Sequence, residues 1–345
     1  MIATQAVHES ASKARAFLER YFRENEKWAD FTSPKFGSST AWVSAYTGYC
    51  LSHGEGNPGL LRDVCTYLLS QQGRDGAWGW GPEVCSDCDT SSFCSMLFAS
   101  QRVLSEEQTT QLADFLRSHQ LPHGGFATFH DRQALKAHPM WANLPVSFNG
   151  WCIAHNSVTA AALQALVHLG TAPDAPEVVR GLEFLKAAQG SDGLWSCYWW
   201  TETYYPTYQA VRAAQVAASP SAPKFDLERV VDALAKRQNP AGHWSSADPA
   251  IPCPFSTALA LRTLHLLGQN QEGKLAEVIR RGVQWLHESQ SPDGSWTSAY
   301  AIMRIPHYDE ENPTNTNSKL RPDVNHIFTT ANVEALLSSV LRSRA

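Results

Sequence analysis

The stretch QSPDGSW, Gln290 to Trp296, is the last of five copies of one pattern: Gln, three residues, Gly, one residue and an aromatic. The others are QGRDGAW (Gln72 to Trp78), QLPHGGF (Gln120 to Phe126), QGSDGLW (Gln189 to Trp195) and QNPAGHW (Gln238 to Trp244). The Gln-to-Gln intervals are 48, 69, 49 and 52 residues, so the second interval carries an insertion of about twenty residues, placed near 129–150. A period near fifty residues marks a repeat architecture in which no unit buries its apolar face alone.

Each copy follows an amphipathic stretch such as LLRDVCTYLLSQ (Leu60 to Gln71) or VIRRGVQWLHESQ (Val278 to Gln290), with apolar residues at three-four spacing. The Gly and the Asp or Pro inside the motif end that helix and turn the chain. A second kind of helix follows, opening on Ser or Thr and then apolar on nearly every side. Its six occurrences align on Thr40, Ser91, Thr159, Thr207, Thr257 and Thr330. With an N-terminal helix near Ser12 to Arg23, this predicts an all-α chain of six outer and six inner helices. The six-fold count favours an α/α toroid closed over residues 1–345 as one domain, with an open solenoid as the alternative.

Composition narrows the function. Charged residues are only 18% of 345, net charge is −5, and there are 12 Trp, 14 Phe and 10 Tyr. That balance offers no field to attract a phosphate backbone, so nucleic acid is not an expected partner. No apolar window is long enough to span a membrane, and the polar N-terminus does not read as a signal peptide, so a cytoplasmic chain is expected. Its eight Cys are then reduced thiols, and the lone Cys85-x-x-Cys88 is weak evidence for zinc or redox chemistry.

A toroid keeps its cavity where the inner helices begin. Two residues before the aligned Thr or Ser stand Ser38, Asp89, Ser157, Tyr205, Phe255 and Phe328, and only Asp89 is acidic. Asp87 lies beside it in Ser86-Asp87-Cys88-Asp89-Thr90-Ser91. A neighbouring carboxylate and an aromatic pocket would keep one carboxyl protonated, whereas a helix N-terminus favours its ionised form. Asp89 therefore reads either as an acid or as an N-cap. Tyr198, Trp199, Trp200, Tyr204, Tyr205 and Tyr208 lead into the fourth inner helix as the wall of a pocket. Phe148, Trp151, Phe255 and Phe328 sit near other entries, Trp80 follows the first repeat, and His155 is a candidate base. Trp28, Trp42 and Trp285 read as packing. The Pro- and Asn-rich segment 304–323 is a candidate lid whose Arg304, Lys319 and Arg321 could meet an anion.

The QxxDGxW copies resemble those of the squalene cyclase and protein prenyltransferase superfamily, in which the Gln and Trp tie one helix to its neighbour. The acidic run resembles the DxDD motif of class II terpene cyclases, with Thr90 in place of the fourth-position Asp. The resemblance implies Asp89 as the group that protonates an alkene, Asp87 beside it, and aromatic rings around the resulting carbocation. It implies an isoprenoid substrate and no metal or cofactor, Mg²⁺ entering only with a diphosphate substrate. Family members with this chemistry generally use two barrels, so a single barrel implies a short chain of C10 to C20, or completion by a second copy or partner subunit. A prenyltransferase-like reading lacks its zinc ligands, since Trp195 stands two before Cys197 where Asp is required, and Cys253-Pro254-Phe255 replaces the His. A non-catalytic protein binding an apolar ligand, and a carbohydrate enzyme with paired carboxylates, are the other readings.

Overall fold

Outer helices of this chain bury one stripe and inner helices bury nearly every side chain, and that difference builds the ring. The computed structural model describes residues 4–82, 84–141, 145–246, 248, 250–268, 273–298 and 301–343. The outer helices are α1 (Thr4–Asn25), α3 (Pro58–Ser70), α5 (Glu106–Ser118), α8 (Pro176–Ala187), α10 (Leu227–Lys236) and α12 (Lys274–Glu288). The inner ones are α2 (Ala41–Ser52), α4 (Cys88–Gln101), α7 (Asn156–His168), α9 (Tyr204–Val216), α11 (Pro254–Leu267) and α13 (Ile327–Arg342). α10 buries only Val230 and Leu234, while α11 buries all but Arg262, Leu266 and Leu267. Each inner helix packs on the next, and α13 packs back on α2. The ring is closed, an α/α toroid.

The repeat motif is the joint between layers. Trp78, Trp195, Trp244 and Trp296 each donate the indole N–H to a carbonyl ten residues upstream, on Leu68, Leu185, Leu234 and Leu286, at 2.7–2.9 Å. Their backbone N–H groups donate to Ser91, Thr207, Thr257 and Thr330 of the following inner helix. Each motif Gln donates to the carbonyl of its own Gly, as Gln290 does to Gly294 at 2.9 Å. Those glycines turn at positive φ, and a Cβ on Gly242 or Gly294 would strike the backbone of Arg281 or Lys13 in the next outer helix. Trp28, read from sequence as packing, does the same work without a Gln: it donates to the Leu18 carbonyl at 2.8 Å, and its backbone N–H to Ser44. The sixth member of the Ser/Thr series is therefore Ser44, one turn beyond Thr40.

Gln290 also donates to the Ser10 carbonyl at 3.0 Å, which ties the last repeat to α1 and closes the outer layer. Gln290→Ala is expected to lose about 1–3 kcal/mol in chemical denaturation and to speed amide exchange at the start of α1. Unchanged exchange there would show that the bond does not hold the seam.

Three excursions roof one end of the ring. They are the hairpin of β1 (Asp30–Ser33) and β2 (Gly37–Ser39), the 129–150 insertion with α6 (Arg132–Ala137), and the hairpin of β3 (Met303–Ile305) and β4 (Lys319–Arg321). Residues 142–144 of the insertion lie outside the described residues. The insertion and the 304–323 segment do not hang free. Phe36, Phe129, Leu135, Trp141, Phe148 and Trp151 pack into an apolar cluster of their own above the main core. β3 is pinned to the entry of α9, with the Arg304 N–H donating to the Trp199 carbonyl at 2.9 Å.

Candidate active site

Where the roof meets the ring lies a small cavity of about 70 Å³, partly continuous with solvent. Its wall carries Asp87, Asp89, Thr90 and Thr128 among apolar side chains, including the rings of Trp42, Trp80, Trp141, Trp151, Trp199 and Trp200. Among the described residues no Lys, Arg or His lines it.

The two carboxyls have different environments. Asp87 caps α4, its Oδ1 accepting from the Thr90 N–H at 2.7 Å and its Oδ2 from the Thr90 hydroxyl at 2.8 Å. Asp89 lies inside the first turn of α4 and is not the cap. Its Oδ2 accepts from the Trp42 indole N–H at 2.9 Å, and its Oδ1 is buried with no hydrogen-bond partner. Asp89 is half-buried only because one side of it lines the cavity. Burial first, and then the Asp87 charge, push its carboxyl up to about 8 against the weaker pull of the Trp42 bond. Burial also pushes Asp87 up, to about 7, while the two Thr90 bonds favour its ionised form. A proton shared by the pair is thereby favoured on Asp89.

Thr90, at the fourth motif position, holds Asp87 and leaves Asp89 to Trp42. Trp42 was read from sequence as packing, and the structure corrects that: it touches the acid. Its signal was weak, a Trp two residues into the first inner helix among many apolar residues. Trp141, Phe36, Phe129, Met303 and Ile305 also line the cavity without having been singled out; they arrive on the roof, far away in sequence.

Of the aromatics picked from sequence, Trp80, Trp151, Trp199 and Trp200 reach the cavity wall. Phe255, Phe328 and Tyr205 are fully buried behind Trp200, stacked on it at ring distances of 5.3, 5.2 and 4.2 Å. Phe148 lies behind Trp141 and Trp151 in the roof. Tyr204 sits beside Glu202, to which its N–H donates, and Tyr208 accepts from Arg262 Nη2 at 2.7 Å deeper in the barrel. His155 has both ring nitrogens engaged, by the Thr128 hydroxyl and the Gly150 carbonyl, each at 3.0 Å. Burial lowers its pKa to about 3, so its ring is neutral. It faces a separate polar cleft beside Glu202 and Arg304, and Thr128 links it to Trp199 on the cavity wall.

Arg304 is itself buried, donating to the Tyr198 and Cys197 carbonyls and to Asn315. Lys319 and Arg321 instead line a vestibule with Lys35 and His307, and Phe36 and Ile305 form both its wall and that of the main cavity. Among the described residues the vestibule lining contains no acid, and Arg321 Nε is buried without a partner. Cys85 and Cys88 are free thiols, and no cluster that could hold a metal ion occurs among the described residues. No helix among them is long and apolar enough to cross a membrane.

Residues 83–301 match the family model of the squalene-hopene cyclase C-terminal domain, more than half of the chain. The chain belongs to that family. Within it, the squalene–hopene cyclase of Zymomonas mobilis is 23% identical over 248 residues, 66% of this chain and 36% of that protein. The chain thus spans about a third of the length of that curated relative. Among solved structures, the type II terpene cyclase MstE from Scytonema is similar over the whole chain. A variant in complex with its substrate, geranylgeranyl dihydroxybenzoate, is 28% identical with a TM-score of 0.84, covering 99% of each chain. Another, in complex with its product merosterolic acid A, is 29% identical with a TM-score of 0.86, covering 99% of this chain and 98% of that one. The matched residues hold the second to fifth inner helices, with the acidic run at the entry of the second.

Proposed function

We propose that this chain is a proton-initiated terpene cyclase acting on a short isoprenoid, C10 to C20, that carries an acidic head group. The observation that carries the reading is Asp89, a carboxyl whose pKa burial raises and whose Oδ1 has no partner among the described residues, on the wall of a cavity lined by six Trp. Asp89 gives its proton to the terminal alkene; the π pair forms the new C–H bond, and the adjacent carbon becomes a tertiary cation. Further alkenes attack in turn, each closing a ring. The last cation loses a proton, so substrate and product are isomers. Indole faces stabilise the cation through their quadrupole, and the apolar wall keeps water from trapping it.

The basic vestibule supports the head group. A carboxylate at Lys319 and Arg321 would leave the prenyl tail to pass between Phe36 and Ile305 toward Asp89. The MstE substrate, a prenyl chain on a dihydroxybenzoate, has that shape of molecule. The roof supplies the enclosure that a single barrel otherwise lacks, so the reading requires no second barrel.

The test is incubation with farnesyl and geranylgeranyl chains linked to an acidic aryl group, beside their methyl esters and diphosphates. The acids are expected to give a cyclised isomer with KM at least tenfold below that of the esters, and Arg321→Ala to erase most of that preference. Recovery of every polyene unchanged from folded protein would contradict the reading.

A further inference from the structure

The acid in this site lacks the charged partner that would ordinarily sharpen it. Its nearby titratable groups are Asp87 and Cys88 on its own helix entry and Tyr205 from α9, each electrostatically coupled to it and none of them cationic. Among the described residues, the one hydrogen bond Asp89 makes through its side chain is to Trp42. We propose that Trp42 is a positioning residue for Asp89: its indole N–H, by occupying Oδ2, keeps the acidic proton on Oδ1 and stabilises the carboxylate that remains after transfer, without bringing a charge to the cavity. This rests on the reading of Asp89 as the proton donor.

The chemistry follows from the donor inventory. In a neutral carboxyl the carbonyl-type oxygen is the better acceptor, so an N–H fixed on Oδ2 places the O–H on Oδ1. Oδ1 has no protein acceptor, the condition for an O–H that must be given to carbon. Once the proton leaves, the same N–H meets a full carboxylate, and a hydrogen bond to an ionised acceptor is roughly twice as strong as a neutral one. The difference makes Asp89 a stronger acid than its burial alone would allow. An Arg or a protonated His would do the same but would repel the carbocation formed beside it. Trp supplies a neutral donor at its edge and a π-face that attracts the cation.

The indole has little freedom to swing away. Trp42 is only 2% exposed and stacks on Phe328 with ring centroids 4.9 Å apart, with Trp200 and Tyr46 both at 5.8 Å. Phe328 opens α13, so the last inner helix holds the residue that orients the acid on α4. This gives Phe328 and Trp200 a task beyond filling the barrel.

The experiment is an infrared-detected titration of the Asp89 carboxyl, its C=O band identified by loss in Asp89→Asn. It is made on the unmodified protein, on Trp42→Phe, and on protein carrying 3-benzothienylalanine at position 42. The last analogue keeps the shape of Trp and replaces only the N–H, so it holds the test open if Trp42→Phe fails to fold. The titration midpoint is expected to rise by roughly one pH unit, the C=O band to move to higher frequency, and kcat to fall about three- to tenfold. An unchanged band and midpoint in the benzothienylalanine protein would overturn the proposal. Failure of the wider reading looks different: cyclisation would survive Asp89→Asn, whereas the infrared titration reads the Trp42 bond whether or not product forms.

Discussion

Asp89→Asn is expected to reduce cyclisation by about 10³- to 10⁴-fold, at the upper end of what loss of a general acid removes. An alkene carbon is so weak a base that water at neutral pH offers no substitute donor, and Asp87, the other acid among the described residues of the cavity wall, is held toward its ionised form by its two Thr90 bonds. The same substitution changes stability in a way that identifies the carboxyl. The folded value of Asp89, about 8, lies above its ordinary 3.8. Between those two values the folded chain holds a proton that the unfolded chain has released, so raising the pH favours unfolding across that window. Asn cannot ionise, and it retains an oxygen to accept the Trp42 bond. The stability of Asp89→Asn relative to the unmodified protein is therefore expected to rise steadily from pH 4 to pH 8, by urea denaturation at several pH values. A flat difference would mean that Asp89 is not held protonated. Activity of the unmodified protein is expected to fall as the pH rises through about 8, because the ionised acid has no proton to give.

The largest loss of stability is expected from the repeat and not from the cavity. Trp244 is fully buried, donates its indole N–H to the Leu234 carbonyl at 2.9 Å, and gives its backbone N–H to Thr257 at 2.9 Å. Trp244→Ala opens a cavity between layers and orphans a carbonyl, a loss of about 3–5 kcal/mol. Trp244→Phe fills most of the space and leaves the carbonyl unpaired, for about 1–3 kcal/mol. Denaturation midpoints should fall in that order, with cyclisation by the folded fraction little altered because Trp244 does not line the cavity. Equal midpoints for the Phe variant and the unmodified protein would assign the role of Trp244 to bulk alone.

The ring was legible in the sequence because its joints are local. A Gln bonding to a Gly four residues on, and a Trp to a carbonyl ten residues back, leave fixed spacings that survive in one chain. Where the joint was altered the reading slipped: Trp28 has no Gln before it, and Ser44 rather than Thr40 receives its N–H. Asp89 stood out because five equivalent positions are not acidic. Its partner Trp42 did not, because the first opening aligned on Thr40; two residues before Ser44, the position equivalent to Asp89, stands Trp42. A different limit applies to the aromatics. Position before an inner helix does not say whether a ring meets the cavity, as Trp200 does, or backs it, as Phe255 and Phe328 do. The twelve Trp divide in the structure into five that join layers, six that line the cavity, and Trp285, which packs on His243. The roof was the least legible part, because Trp141 and Ile305 reach the cavity from segments separated by more than a hundred residues.

The central claim is that Asp89 hands a solvent-exchangeable proton to an alkene. Turnover of an acid-bearing geranylgeranyl substrate in deuterated water tests it most directly, with the product analysed by mass and by carbon NMR. A cyclised product with one deuteron is expected, carried on the ring methylene that forms from the alkene CH first protonated, and no such product is expected from Asp89→Asn. A cyclised product without deuterium, or one formed equally by Asp89→Asn, would contradict it.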